Sequence, residues 1–322
     1  MNMFQKRINL KPYEYPSVLE YVDAIRHSYW VHTEFNYSAD IQDLKVNLSS
    51  EEAAIIKKAM LAIAQIEVSV KTFWSKLYDY FPKPEFQAVG VTFAESEVRH
   101  IDAYSNLLEL VGLNDEFEKL LDEPAIARRI KYFEKMEKKI INDEDFFHKV
   151  ILFSMFVEGV SLFSQFLIMM SFNKYKSALK GISNAVEATS KEEDIHARFG
   201  YEIINTIKKE HPEWWTKKLQ AELYEATQEA FEAELGIIDW IYNGSELEFL
   251  PKRVVKEFVK DRFNKALKAV GLDEMFDTNP ALLDKTAWFV EETLSTKNID
   301  FFVKRSVAYS KKTKSFTEDD LF

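Results

Sequence analysis

The sequence predicts an all-α helical bundle, and three observations carry the prediction. Only 8 Gly and 8 Pro punctuate 322 residues rich in Ala, Leu, Lys and Glu, which favours long helices over a sandwich or barrel. Apolar-periodic segments bounded by cap, glycine and proline signals follow one another from about residue 49 to residue 270. From Val150 to Phe172 the only charged side chain is Glu158, and a stretch apolar on every side belongs at the buried centre of a bundle.

Composition narrows the rest. With 47% hydrophobic residues the chain has ample material for a core. Lys and Arg total 42 against 53 Asp and Glu, a formal charge of −11, so nothing recruits nucleic acid electrostatically. There is no cysteine, hence no disulfide framework, thiol nucleophile or thiolate metal site. The opening MNMFQKRINLKPYEYP lacks the apolar core of a secretory signal, and a cytoplasmic protein is expected.

The elements follow in order. The first 48 residues hold Tyr29 and Trp30, and Asn36 to Asp43 reads as irregular. Ser49 with Glu52 makes a capping box that opens a helix to about Tyr80, whose apolar face aligns Met60, Ile63, Ala64, Glu67, Lys71 and Trp74. Pro82 and Pro84 break the chain, and the next helix, about Glu85 to Val111, stops before Gly112. Three- and four-residue spacing puts Phe93, Glu97, His100 and Tyr104 on one side of it. A more polar helix, roughly Glu123 to Ile141, is expected outside the core.

The apolar helix follows from about Asp143. Its length would suit a membrane span, but an acid near a bilayer centre costs about 3 kcal/mol. Ser154, Ser161, Ser164, Gln165 and Ser171 dilute the apolar signal further, so no membrane span is expected. From Lys174 to about Glu210 a long segment places Val186, Thr189, Glu193, His196 and Ile203 on one face. Pro212 opens a helix running to the Asn243-Gly244 stop, and Pro251 to Val270 forms another before Gly271. The chain divides into a helical domain, residues 1–298, and a tail, residues 299–322, basic and then acidic, which composition marks as flexible.

A lone ionised carboxylate in an apolar interior costs several kcal/mol unless it is neutralised, paired or metal-bound. Glu158 has company. Four helices supply Glu67, then Glu97 and His100, then Glu158, then Glu193 and His196, with two Glu-x-x-His elements among them. That spacing alone is unspecific, but both elements lie on apolar faces. The set matches the ferritin-like dimetal-carboxylate template, one Glu from each of two helices and a Glu-x-x-His from each of two others. Four carboxylates and two neutral imidazoles offset most of the charge of two metal ions and suit iron or manganese.

At these residues the chain resembles the small, radical-generating subunit of class I ribonucleotide reductase, and the likeness spans nearly its whole length. The order Trp30, Glu67, Glu97-Val-Arg-His100-Ile-Asp-Ala-Tyr104, Glu158-Gly159, Glu192-Glu193-Asp-Ile-His196 and a tail tyrosine carries it. The resemblance implies that Glu67, Glu97 and His100 hold one metal and Glu158, Glu193 and His196 the other, with Glu97 and Glu193 bridging. Tyr104 matches the tyrosine that many members oxidise to a radical; some subclasses store the oxidant in the metals, and a core tyrosine is the alternative. Trp30 and Glu192 match a relay in which an acid links metal-bound His100 to a tryptophan. Tyr309 matches the residue that carries the oxidising equivalent across the subunit interface, and Phe316 to Phe322 looks like the docking peptide for the large catalytic subunit.

Several positions depart from the commonest pattern. Glu67 and Glu192 stand where many relatives have aspartate, and Leu162 where a phenylalanine often lines the radical pocket, although Phe166 remains. Lys71, one turn beyond Glu67, either reaches the metal ligands or is a surface lysine. Glu67 with Lys71 is similar to the dimanganese subclass Id, which keeps its oxidant as a Mn(III)Mn(IV) pair; di-iron or mixed manganese/iron suits the same ligands. The resemblance implies a homodimer working with a separate large subunit. A ligand-binding dimetal oxidase would share the six ligands without needing the tail, and a ferritin-type metal store would lack the relay residues.

Overall fold

The computed structural model describes residues 2–70, 72–134 and 140–294. Among them there is no strand, and the fold is a ferritin-like helical bundle as expected. Its main helices are α1 (Leu19–His27), α2 (Ser50–Val70), α3 (Pro84–Val111), α4 (Pro124–Glu134), α5 (Asp143–Leu152), α6 (Phe163–Lys176), α7 (Lys180–Glu210), α8 (Lys217–Tyr242) and α9 (Lys252–Ala269). Helices α5 and α6 are continuous through a π-helical segment, Phe153–Ser161, which carries Glu158. The most apolar window of this 34-residue run is 94% buried inside the bundle, so the run is a core helix. Around it pack α2, α7, α8 and α9, and α3 packs against α2 and α7.

Local signals set many of the boundaries. The capping box is reciprocal: Ser49 N–H donates to Glu52 Oε2 at 3.0 Å, and Glu52 N–H to Ser49 Oγ at 3.2 Å. Gly112 ends α3 with φ 76°, a left-handed value a glycine adopts without a Cβ clash. Thr216 caps α8 by accepting from Leu219 N–H at 3.1 Å.

Other boundaries differ from expectation, each through contacts distant in sequence. The stretch expected to be one helix from Ser49 to Tyr80 is helical over Ser50–Val70 and Thr72–Ser75 and is interrupted at Lys76 before a last turn, Leu77–Tyr80. Just before that interruption the Trp74 indole reaches across to Glu158, while its carbonyl lies so near Gly90 of α3 that a Cβ there would sit 2.7 Å away. The segment read as irregular holds a helical turn, Ser38–Gln42, running into a π turn, Asp43–Asn47. Its Asp40 is buried because it caps α7, accepting from Gly181 N–H at 3.1 Å and Ile182 N–H at 2.7 Å.

The expected Lys174–Glu210 segment is broken at Ser177 and Leu179, which both have positive φ. Leu179 is held there by full burial and by its N–H donating to Asp43 Oδ2 at 2.9 Å. Helix α4 is not confined to the outside. Its Arg129 is fully buried and donates to Ala62 O at 3.0 Å and Glu234 Oε2 at 3.1 Å. Lys71 and Tyr309, and with Tyr309 the whole expected tail, lie outside the described residues.

Candidate metal centre

The six acids and histidines singled out from sequence meet in the core. Glu67 comes from α2, Glu97 and His100 from α3, Glu158 from the π segment, and Glu193 and His196 from α7; each is at most 1% exposed. They form two overlapping groups. Glu67, Glu97, His100 and Glu193 present ligand atoms within 4.8 Å of one another, and so do Glu97, Glu158, Glu193 and His196. The imidazole centroids are 6.2 Å apart.

Glu97 and Glu193 span the pair. Glu193 turns Oε1 to His100 Nδ1 at 2.9 Å and Oε2 to His196 Nδ1 at 3.4 Å. Glu97 turns Oε2 to His100 Nδ1 at 3.6 Å and Oε1 to His196 Nδ1 at 3.1 Å. Glu158 Oε2 lies 3.5 Å from His196 Nδ1, and its Oε1 accepts from the Trp74 indole N–H at 2.8 Å.

The outward nitrogens of the imidazoles decide which atoms face inward. His100 Nε2 lies 2.8 Å from Glu192 Oε2, and His196 Nε2 lies 3.0 Å from Ser96 Oγ. With the Nε2 proton of His100 given to a carboxylate, its Nδ1 lone pair points to the centre. Both oxygens of Glu67 and of Glu97, Oε1 of Glu193 and Nδ1 of each histidine are buried without a hydrogen bond of proper geometry. Leaving such atoms unsatisfied costs about 1–3 kcal/mol each. Hard oxygen and borderline nitrogen donors converging in this way fit a pair of first-row transition-metal ions.

Electrostatics give the metal-free cluster a strong pull on protons. Burial raises Glu67 well above the usual carboxylate range, against the opposing effect of His100. Burial, with Glu193 nearby, does the same to Glu158. For Glu193 burial acts upward too, but the close His100 and His196 imidazoles outweigh it and hold the group well below. Burial lowers both imidazoles, yet the carboxylates around them lift each well above its ordinary value.

Glu192 is a hub. It accepts from the Trp30 indole N–H at 3.1 Å, from Ser28 Oγ at 3.2 Å and from two nitrogens of Arg99 at 3.1 Å, besides its contact with His100. Trp30 is buried and stacks on the His100 ring, with centroids 5.8 Å apart and planes at 15°. Arg99 also donates to Trp30 O at 3.2 Å and lies over the ring of half-exposed Tyr29. Tyr104 is buried one turn beyond His100; its hydroxyl makes no hydrogen bond of good geometry, and burial raises the phenol above its ordinary value.

Sequence reading missed Arg99, Ser28, Ser96 and the role of Trp74. Arg99 had a signal, a cation directly before His100 inside the Glu-x-x-His element. Trp74 had half of one, since it lies on the Glu67 stripe. Ser28 and Ser96 had none, because a serine beside a motif is commonplace until its partner is known.

Comparison with known proteins agrees with this geometry. Residues 7–282 match the family model described as Ribonucleotide reductase, small chain. The ribonucleoside-diphosphate reductase subunit beta of Treponema pallidum is 21% identical over 96% of this chain and 88% of its own length. Among solved structures, the ribonucleotide reductase R2 subunit from Clostridium botulinum superimposes with TM-score 0.76 at 17% identity, covering 87% of this chain and 89% of that one. The Streptococcus sanguinis dimanganese(II)-NrdF gives TM-score 0.73 at 19% identity, covering 88% of this chain and 99% of that one. These two likenesses concern the fold; the family match covers most of the chain and is specific. The chain belongs to the ribonucleotide reductase small-chain family.

Proposed function

We propose that this chain is the small subunit of a ribonucleoside-diphosphate reductase, supplying the oxidising equivalent for a large subunit that converts ribonucleotides to deoxyribonucleotides. The observation that carries the reading is that Glu97 and Glu193 each aim one oxygen at each imidazole, while Glu192 joins His100 to Trp30. Glu67 and His100 would complete one ion's ligands, and Glu158 and His196 the other's. Bound there, two manganese ions, or iron in either position, would supply the one-electron oxidant. Manganese is favoured by the Glu67 and Lys71 pattern.

The chain's own groups do the rest. The apolar walls around the cluster, Trp74, Phe93 and Phe199 among them, are fully buried and keep bulk water from the centre. Glu192 fixes the His100 tautomer and accepts the Trp30 indole proton, so it can take that proton as the ring gives up an electron. Arg99 holds Glu192 in place with two donor nitrogens. Tyr309 is the residue we assign to passage across the interface, and Phe316 to Phe322 to docking, in a homodimer that pairs with the large subunit in the cytoplasm. The chain has no cysteine, so the sugar-reducing thiols would come from that partner.

Deleting the residues after Lys314 tests the reading. Reductase activity with added large subunit should vanish while two-ion binding persists. Metal-dependent oxidation of a small substrate with no partner present would instead favour a ligand-binding oxidase.

A further inference from the structure

Glu158 stands where the core helix is widest. Over Phe153–Ser161 the backbone follows π geometry, and such a segment inside a helix disturbs the regular pairing of carbonyls with the following turn. Ser161 Oγ donates back to Phe156 O at 2.8 Å. Gly159 O, immediately after Glu158, is gripped from another helix: Arg262 of α9 donates to it from Nε at 2.9 Å and also from Nη2. The guanidinium lies 3.9 Å over the Phe163 ring and the residue is 8% exposed.

The opposite side of Gly159 is equally constrained. A Cβ there would come 2.4 Å from Tyr201 Oη of α7 and 3.0 Å from Ser154 O. Gly159 is thus held between a cation on its carbonyl and a helix against its α-carbon. Glu158 contributes to the second group of ligands and not to the first, whose residues come from α2, α3 and α7.

We propose that Arg262 is a positioning residue for Glu158: by holding Gly159 O it maintains the π turn and so the direction in which Glu158 presents Oε2 to His196. The proposal rests on the dimetal reading of the cluster. Its consequence is selective, because the interaction bears on the ion bound by Glu158 and His196 and leaves the Glu67 and His100 position to other elements. A planar guanidinium reaches one carbonyl with two donors, which an ammonium cannot reproduce in full.

The test is a Mn(II) titration of the full-length metal-free protein, followed by calorimetry and by the electron paramagnetic resonance of free Mn(II). Arg262→Met should leave the first ion's affinity within about twofold and weaken the second by about 10–100-fold, the size expected for loss of a group that orients a ligand. Arg262→Lys should recover part of that loss. Arg262→Gln, which keeps a neutral donor, serves if the Met variant does not fold and should show the same selectivity. Equal weakening of both ions, or wild-type affinity for the second ion in a folded Met or Gln variant, overturns the proposal. A wild-type chain that takes fewer than two ions overturns the dimetal reading itself, and the proposal with it.

Discussion

His100 Nε2 lies 2.8 Å from Glu192 Oε2, and this one contact both turns Nδ1 toward the carboxylate cluster and ties the cluster to Trp30. The other histidine is arranged in the same way, with Ser96 in place of the acid. In each case the residue just before the Glu of one Glu-x-x-His element holds the His of the other element. Only the His100 side has a carboxylate at this place, and that carboxylate leads to Trp30, whose ring shares the Arg99 guanidinium with the ring of half-exposed Tyr29.

Separating the two jobs of Glu192 is therefore straightforward. Glu192→Ala should weaken metal binding by about 10–100-fold through loss of the imidazole's anchor. Trp30→Phe should leave metal affinity within about twofold and abolish turnover with the large subunit. Metal titration and coupled reductase assays on both variants distinguish the outcomes, and an active Trp30→Phe protein would remove Trp30 from the relay.

Metal loading should release protons. Glu67 and Glu158 are raised by burial, and the two imidazoles by their carboxylates, so the metal-free cluster holds protons that ligation must displace. A raised group is protonated below its shifted value, so affinity should climb as pH rises through those values and fall on acidification. Calorimetry in buffers of different ionisation enthalpy measures the protons released; a count of zero contradicts the proposed ligand set.

Gly200 should tolerate no side chain. A Cβ there would lie 2.0 Å from Ser154 Oγ and 2.4 Å from Ser154 Cβ, where α7 meets the π segment. Gly200→Ala should cost about 1–3 kcal/mol by overpacking, after allowing for the better helix propensity of alanine. Ser154→Gly removes the colliding atoms, so the double variant should be more stable than the sum of the single changes predicts. Chemical denaturation of all four proteins of the cycle gives the coupling.

Tyr104 separates two ways of storing the oxidant. Its buried hydroxyl has no well-formed hydrogen bond, so Tyr104→Phe should hold stability constant or raise it by up to about 1–2 kcal/mol. On the manganese reading the variant keeps reductase activity, and activated wild-type protein gives a multiline manganese resonance. An isolated tyrosyl doublet that disappears in Tyr104→Phe, together with activity, would overturn that assignment.

Much of this protein could be read from its residues in order. Periodicity and caps determined the helical class and the ends of α2 and α3 at Ser49 and Gly112, because those features depend on neighbours within one turn. The six ligand candidates were equally accessible, since a carboxylate or imidazole on an apolar helix face is costly enough to demand a partner. Tertiary structure decided what lies across helices. It interrupted the helix at Lys76, just after Trp74, bent the segment before α2 so that Asp40 caps α7, sent Arg129 into the core, and gave Glu192 its Arg99 and Ser28 donors. It also widened the turn at Glu158, where Gly159 is squeezed between Tyr201 and Arg262. No local propensity encodes such features: hydrogen bonds and close contacts between residues a hundred positions apart contribute only once the helices that carry them have packed.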